Sequence, residues 1–137
     1  MENKLTQMIF NKVGIPSYRA YLDLTSLRHK LISSNVANVS TPGYRSRHID
    51  FDKEFEKASG NPTQLVGYTT DSRHLPLGQH KERPPEVGET RVKAGEMNSV
   101  DIDREVSQMA QNELMFTAAA RLLQKKFDGL RKVITSK

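Results

Sequence analysis

Residues 102–134 read IDREVSQMAQNELMFTAAARLLQKKFDGLRKVI. Core-type residues recur through this stretch in alternating steps of three and four: Ile102, Val106, Met109, Glu113, Phe116, Ala120, Leu123, Phe127, Leu130 and Ile134. Only Glu113 breaks the apolar pattern. The spacing puts all of them on one stripe of an α-helix, the seam geometry of a coiled coil. A helix from Asp101 to Ile134 is roughly 50 Å long at ~1.5 Å per residue. A compact chain of 137 residues has a diameter below ~40 Å. The helix is therefore expected to overhang its own globule, and its stripe calls for partner helices from the same chain, from neighbouring copies or from both. That favours assembly over catalysis.

Both ends of the stretch agree with its period. Ser99 or Asp101 can cap the start, and Asp103 and Glu105 stand where carboxylates favour the positive end of the helix dipole. Lys125, Lys126, Arg131 and Lys132 gather near the other end, where cations are favoured.

Working back toward the N-terminus, the chain reads as helix, irregular middle, helix. Leu5, Met8, Ile9 and Val13 have helical spacing before Gly14 and Pro16 interrupt. Pro16 suits the first turn of a new helix, expected from Ser17 to about Val39. Its stripe of Ala20, Leu24, Leu27 and Leu31 turns polar at Ser34 and Asn38. Asn35 and Asn38, beside Ser33 and Ser34, are polar groups at would-be core positions, which either fix the register between helices or mark the fraying end of one. Ser40-Thr41-Pro42-Gly43 stops the helix, since Thr41 precedes proline and Gly43 can take a positive φ. Between Gly60 and Gly95 lie five of the eight glycines and four of the six prolines, a density that excludes long helices. His48 to Lys57 reads as a short helix or an extended arm anchored by Ile49, Phe51 and Phe55. Leu65–Thr70 and Glu89–Lys93 alternate well enough for a small hairpin, and Lys81–Glu86 is a proline-stiffened link.

The fold class expected is mainly α: long N- and C-terminal helices pairing as a coiled coil, with an irregular middle able to hold a small β-hairpin. Residues 1–44 form the N-terminal helical segment, 45–98 the irregular outer segment, and 99–137 the long C-terminal helix, which makes one unit with 1–44.

Composition narrows the function. Hydrophobic residues make up 36% of the chain and charged ones 27%, so the core is modest and much of the order depends on partners. Cysteine is absent, which excludes disulfides and thiol catalysis. No apolar run approaches the ~20 residues of a membrane span, and MENKLTQMIFNKVG has no apolar signal core. His29, His48, His74 and His80 lack ligand spacing, and Asp101, Asp103 and Glu105 fit helix capping better than metal binding. There is no Gly-x-Ser-x-Gly elbow and no glycine-rich phosphate loop. The chain reads as a non-enzyme that needs no cofactor and takes no small-molecule substrate. A net charge of +5 permits contact with nucleic acid or an anionic membrane. The basic cluster near the C-terminus lacks interleaved aromatics, and a solvated face explains it better than a nucleic-acid interface.

Ser34-Asn35-Val36-Ala37-Asn38-Val39-Ser40-Thr41-Pro42-Gly43-Tyr44 resembles the ANxxTPGY signature of bacterial flagellar rod, hook and related axial proteins. Asn98-Ser99-Val100-Asp101-Ile102-Asp103-Arg104-Glu105 is similar to the start of the C-terminal helix in the proximal rod members, and Thr70–Pro76 resembles a stretch of their middle. The resemblance implies that Asn35, Ala37, Asn38, Thr41, Pro42, Gly43 and Tyr44 form the turn that closes the N-terminal helix. It implies packing and assembly through Leu24, Leu27, Leu31, Val106, Met109, Phe116, Ala120, Leu123, Phe127 and Leu130, with the three leucines set against Phe116, Ala120, Leu123 and Phe127 inside one subunit. The partners implied are other copies of the chain, neighbouring rod proteins of the FlgC and FlgF type, and export-gate and ring-junction proteins of the FliE and FliF type. Export by the flagellar type III system to a rod in the periplasmic space follows from the same resemblance, as does ordering of residues 1–17 against other rod components. A FlgC-like axial role and, further off, a small basic nucleic-acid-binding protein are the alternatives.

Overall fold

The computed structural model describes residues 14–59, 84–95 and 97–135. The proposed helix over 3–13, the strand over Leu65–Thr70, the Thr70–Pro76 stretch and part of the Lys81–Glu86 link lie outside the described residues. Five elements follow in order: α1 (Ile15–Ala37), β1 (Arg47–Ile49), α2 (Phe51–Ser59), β2 (Val87–Glu89) and α3 (Ile102–Thr135).

The two long helices carry the fold. Gly14 takes a left-handed φ of 77° just before α1, and Pro16 occupies its first turn. α3 runs for 34 residues, about 51 Å at ~1.5 Å each. Asp101 caps it: its Oδ1 accepts the backbone N–H of Arg104 at 3.2 Å. The helices are antiparallel, and one hydrogen bond fixes their register. The Asn112 side-chain amide donates to the Thr25 carbonyl at 2.9 Å. One heptad further on, Ile32 stands level with Glu105. Thr25, Ile32, Glu105, Asn112 and Ala119 are all buried.

The seam is therefore not the stripe read from the sequence. It runs through Glu105, Asn112 and Ala119, which at ~100° per residue lie about 60° around α3 from the apolar row. Half of that row borders the seam: Met109, Leu123 and Leu130 are half-buried, whereas Phe116 remains 43% exposed. The other half turns away, with Val106 and Phe127 exposed and Ala120 half-buried. Packing of Leu24, Leu27 and Leu31 on Phe116, Ala120, Leu123 and Phe127 is corrected accordingly. In the observed register Leu24, Leu27 and Leu31 stand level with residues 113, 110 and 106. Compact side chains explain the choice, because Thr25, Asn112 and Ala119 let the helix axes approach where two phenylalanines would hold them apart. Thr25 satisfies its hydroxyl locally, donating to the carbonyls of Tyr21 and Leu22, both at 2.9 Å.

The middle folds onto α1. β1 and β2 pair antiparallel, Arg47 opposite Glu89 and Ile49 opposite Val87. The small sheet thus joins residues about forty positions apart in sequence, and its second strand lies at Val87–Glu89 rather than Glu89–Lys93. Gly88 lies close under the His48 ring: a Cβ there would be 2.9 Å from His48 Nε2, and the exposed imidazole would have to shift to admit it. α2 resolves the His48–Lys57 alternative as a strand end followed by a helix. Its Phe51 and Phe55 rings pack edge-on against Tyr21, with centroids 5.0 and 5.4 Å away. Lys57 Nζ sits 2.6 Å from Glu54 Oε1 and 4.0 Å from Glu86 Oε2, tying α2 to the residue just before β2. The hydrogen bond from Lys57 lowers the Glu54 pKa, and the same bond raises that of Lys57. This tie is lost in acid as Glu54 protonates and in strong base as Lys57 deprotonates.

Candidate functional site

Two features stand out: a hydrogen-bonded elbow at the joint of α1, β1 and α3, and the apolar surface of α3 left uncovered by the intrachain seam.

The elbow is built around Asn35, which is 1% exposed. Its Nδ2 donates to the Arg47 carbonyl and its Oδ1 accepts the Arg47 N–H, both at 2.9 Å. The side chain thus acts as a strand partner to β1 from within a helix. The Tyr44 hydroxyl also donates to Asn35 Oδ1 at 3.3 Å and lies 3.1 Å from Ser34 Oγ. Asn38 closes α1: its Nδ2 donates to the Ser34 carbonyl at 2.8 Å, and its Oδ1 accepts the Thr41 hydroxyl at 3.2 Å. Ala37 is the last residue of α1, and Pro42 sits exposed at the bend. Gly43 has φ 73°, a conformation natural to glycine, and its N–H donates to the Met97 carbonyl at 2.7 Å. Asn38 thus marks a helix end, while Asn35 joins the helix to β1.

The returning chain closes the elbow. Asn98 Nδ2 donates to the Val39 carbonyl. The Ser99 N–H donates to the Tyr44 carbonyl at 3.2 Å, and Ser99 Oγ accepts the Ser46 N–H at 2.8 Å. Ser99 is therefore a cross-link, and the cap of α3 is Asp101. Sequence reading gave Asn98 no role and offered Ser99 only as an alternative helix cap, because their partners lie 53 to 59 positions away.

The uncovered surface of α3 has two flanks. On one side of the seam lie Ile102 (46% exposed), Val106, Phe116 and Phe127, and on the other Met115 and Leu122. Among the described residues fewer large apolar side chains are buried than exposed: Leu24, Ile32 and Ile49 complete the buried set with Ala119. Sequence reading missed Thr25, Glu105 and Asn112 as seam residues. The available signal was the seven-residue spacing of Glu105, Asn112 and Ala119.

The arrangement offers no evident chemistry. A cleft of about 290 Å³ lies between α1, β1 and the start of α3, lined by Arg28, Ile32, His48, Ser99 and Glu105 among others. Glu105 Oε2 is buried and without a hydrogen-bond partner among the described residues. No group of three or more His, Cys, Asp or Glu side chains among the described residues is placed to hold a metal ion.

The family described as "Flagella basal body rod protein" matches residues 22–45, which take in most of α1 and the elbow through Tyr44. Flagellar basal body rod protein FlgB of Cereibacter sphaeroides (strain ATCC 17029 / ATH 2.4.9) is 34% identical over 114 residues, covering 82% of this chain and 87% of that relative. The chain belongs to the FlgB family of flagellar basal body rod proteins. FlgB of Escherichia coli K12 is 31% identical over 124 residues, covering 84% of this chain and 88% of its own length. FlgB of Bacillus subtilis 168 is 28% identical over 116 residues, with 83% and 87% covered. The rod-family match over residues 22–45 includes Asn35 and Asn38 of the elbow.

Proposed function

We propose that this chain is a structural subunit of the rod of the flagellar basal body, in its proximal segment, and that it transmits torque from motor to hook without catalysing a reaction or binding a cofactor. The observation that carries the reading is the mismatch on α3. Its intrachain seam uses polar and small residues, while Val106, Phe116, Phe127, Met115 and Leu122 remain exposed on two flanks. Burying one such side chain against a neighbour contributes about 1.5–3 kcal/mol. Two different flanks suit heterologous contacts that propagate around a tube rather than close into a dimer. The neighbours proposed are further copies, rod proteins of the FlgC and FlgF type, and ring-junction and export-gate proteins of the FliE and FliF type. Arrival in the periplasmic rod through the flagellar type III system is part of the same proposal. So is the division into an inner helical unit (1–44 with 99–137) and an outer segment (45–98). In this division the elbow residues Asn35, Ala37, Asn38, Thr41, Pro42, Gly43 and Tyr44 set where the chain leaves the inner unit.

The test is Phe116→Asp in a strain lacking the native copy. Because Phe116 is 43% exposed, the subunit is expected to keep its helix content and expression while rods and motility are lost. Normal swimming in that strain would refute the reading. Order of incorporation into the growing rod separates the proximal role from a FlgC-like one.

A further inference from the structure

The end of α3 has a character that subunit packing does not require. Residues 121–135 hold five cations (Arg121, Lys125, Lys126, Arg131, Lys132) and one acid (Asp128), a net +4 on 15 residues of a chain whose total is +5. All five cations are exposed, and none forms an ion pair among the described residues. At ~100° per residue, Leu123, Phe127, Leu130 and Ile134 fall within an arc of about 60°, and Leu122 flanks it. Phe127, Leu122 and Ile134 are 45%, 50% and 81% exposed. Arg121, Lys125 and Lys132 point to the opposite side, while Lys126 and Arg131 stand at the two edges of the arc, where a long stem can lie along apolar surface and lift its charge. In the register set by Asn112 and Thr25, Ile15 stands level with Leu122, so this segment runs beyond the described start of α1.

We infer that residues 121–135 dock on an anionic lipid surface, lying in its plane with the Phe127 row inserted and the cations among the headgroups. An apolar arc bordered by cations, on a helix not apolar enough to cross a membrane, is the pattern of an interfacial helix. Charge complementarity selects the occupant. Anionic headgroups attract all five cations. The same segment of a second copy repels them. Duplex DNA matches the charge but offers nothing to the apolar arc. The inference stands apart from the rod reading, because Phe127, Leu122 and Ile134 are exposed on the single subunit, while Leu123 and Leu130 beside them are half-buried.

The experiment is vesicle sedimentation with the full-length purified chain. Vesicles of phosphatidylcholine alone are compared with vesicles of equal parts phosphatidylcholine and phosphatidylglycerol. Partition into the anionic vesicles is expected to exceed the neutral ones by about tenfold and to fall steeply as salt rises to ~0.5 M. The double variant Lys125→Glu/Lys132→Glu and the single variant Phe127→Ser are each expected to lose about tenfold, with helix content unchanged by circular dichroism. Equal binding to both vesicle types, or none to either, overturns the inference. Pelleting without vesicles assigns the face to a second copy and also overturns it. So does binding to a duplex DNA oligomer that exceeds vesicle binding and is untouched by Phe127→Ser.

Discussion

Asn35 shows how much one side chain carries in this molecule. It is buried in α1, yet its amide pairs with both backbone groups of Arg47. Asn35→Ala would leave that N–H and carbonyl unmatched, each at a cost of about 1 kcal/mol or more. We expect the variant to lose about 2 kcal/mol in denaturant unfolding of the isolated chain. Tyr44→Phe removes only the hydroxyl that reaches Asn35 and Ser34, and is expected to lose about 1 kcal/mol or less. Equal losses for the two would show that the contacts of the tyrosine hydroxyl, rather than those to Arg47, hold the elbow. The sequence made Asn35 conspicuous, because a polar residue followed a stripe of leucines. It left register fixing and fraying equally open, since the partner sits 12 positions further on in a strand that no local pattern announces.

At the scale of elements, length and boundaries were legible and orientation was not. The caps, the dipole-matched charges and the unbroken period located α3 to within about a residue. The face that α3 turns inward escaped, because hydrophobic periodicity counts apolar side chains while this seam selects compact ones. The sheet was half legible: a short strand near Glu89 follows from alternation, but its pairing with β1 is set by tertiary contact. Asn112 offers a direct test of the seam. Its Oδ1 is buried without a partner among the described residues, so Asn112→Leu is expected to hold stability or raise it by about 1 kcal/mol. The change also removes the bond that specifies register. Since the chain has no cysteine, Ile32→Cys with Glu105→Cys reports on register cleanly. Disulfide trapping is expected to be efficient with Asn112 present and markedly weaker in the Asn112→Leu background. Undiminished trapping would mean that shape, rather than this amide, sets the alignment.

At the scale of the molecule, the buried apolar set among the described residues is Leu24, Ile32, Ile49 and Ala119, few to hold those residues together with much to spare. The isolated subunit is expected to melt broadly and low, with a midpoint that climbs with protein concentration as neighbours bind the folded form. Calorimetry across a wide concentration range checks this. A sharp transition above about 65 °C at every concentration would contradict it. Family membership was legible because its motif is local, whereas the dependence on neighbours needed the exposures of α3. The elbow has one more implication, for tolerance to change. The segment leaving the helical pair and the segment returning to it are stitched side by side where Gly43 meets Met97 and Tyr44 meets Ser99. With both ends held there, lengthening the intervening chain is expected to cost little, about 0.6 kcal/mol for a doubling of loop length. Insertions between those held ends are expected to leave the pair of helices unchanged.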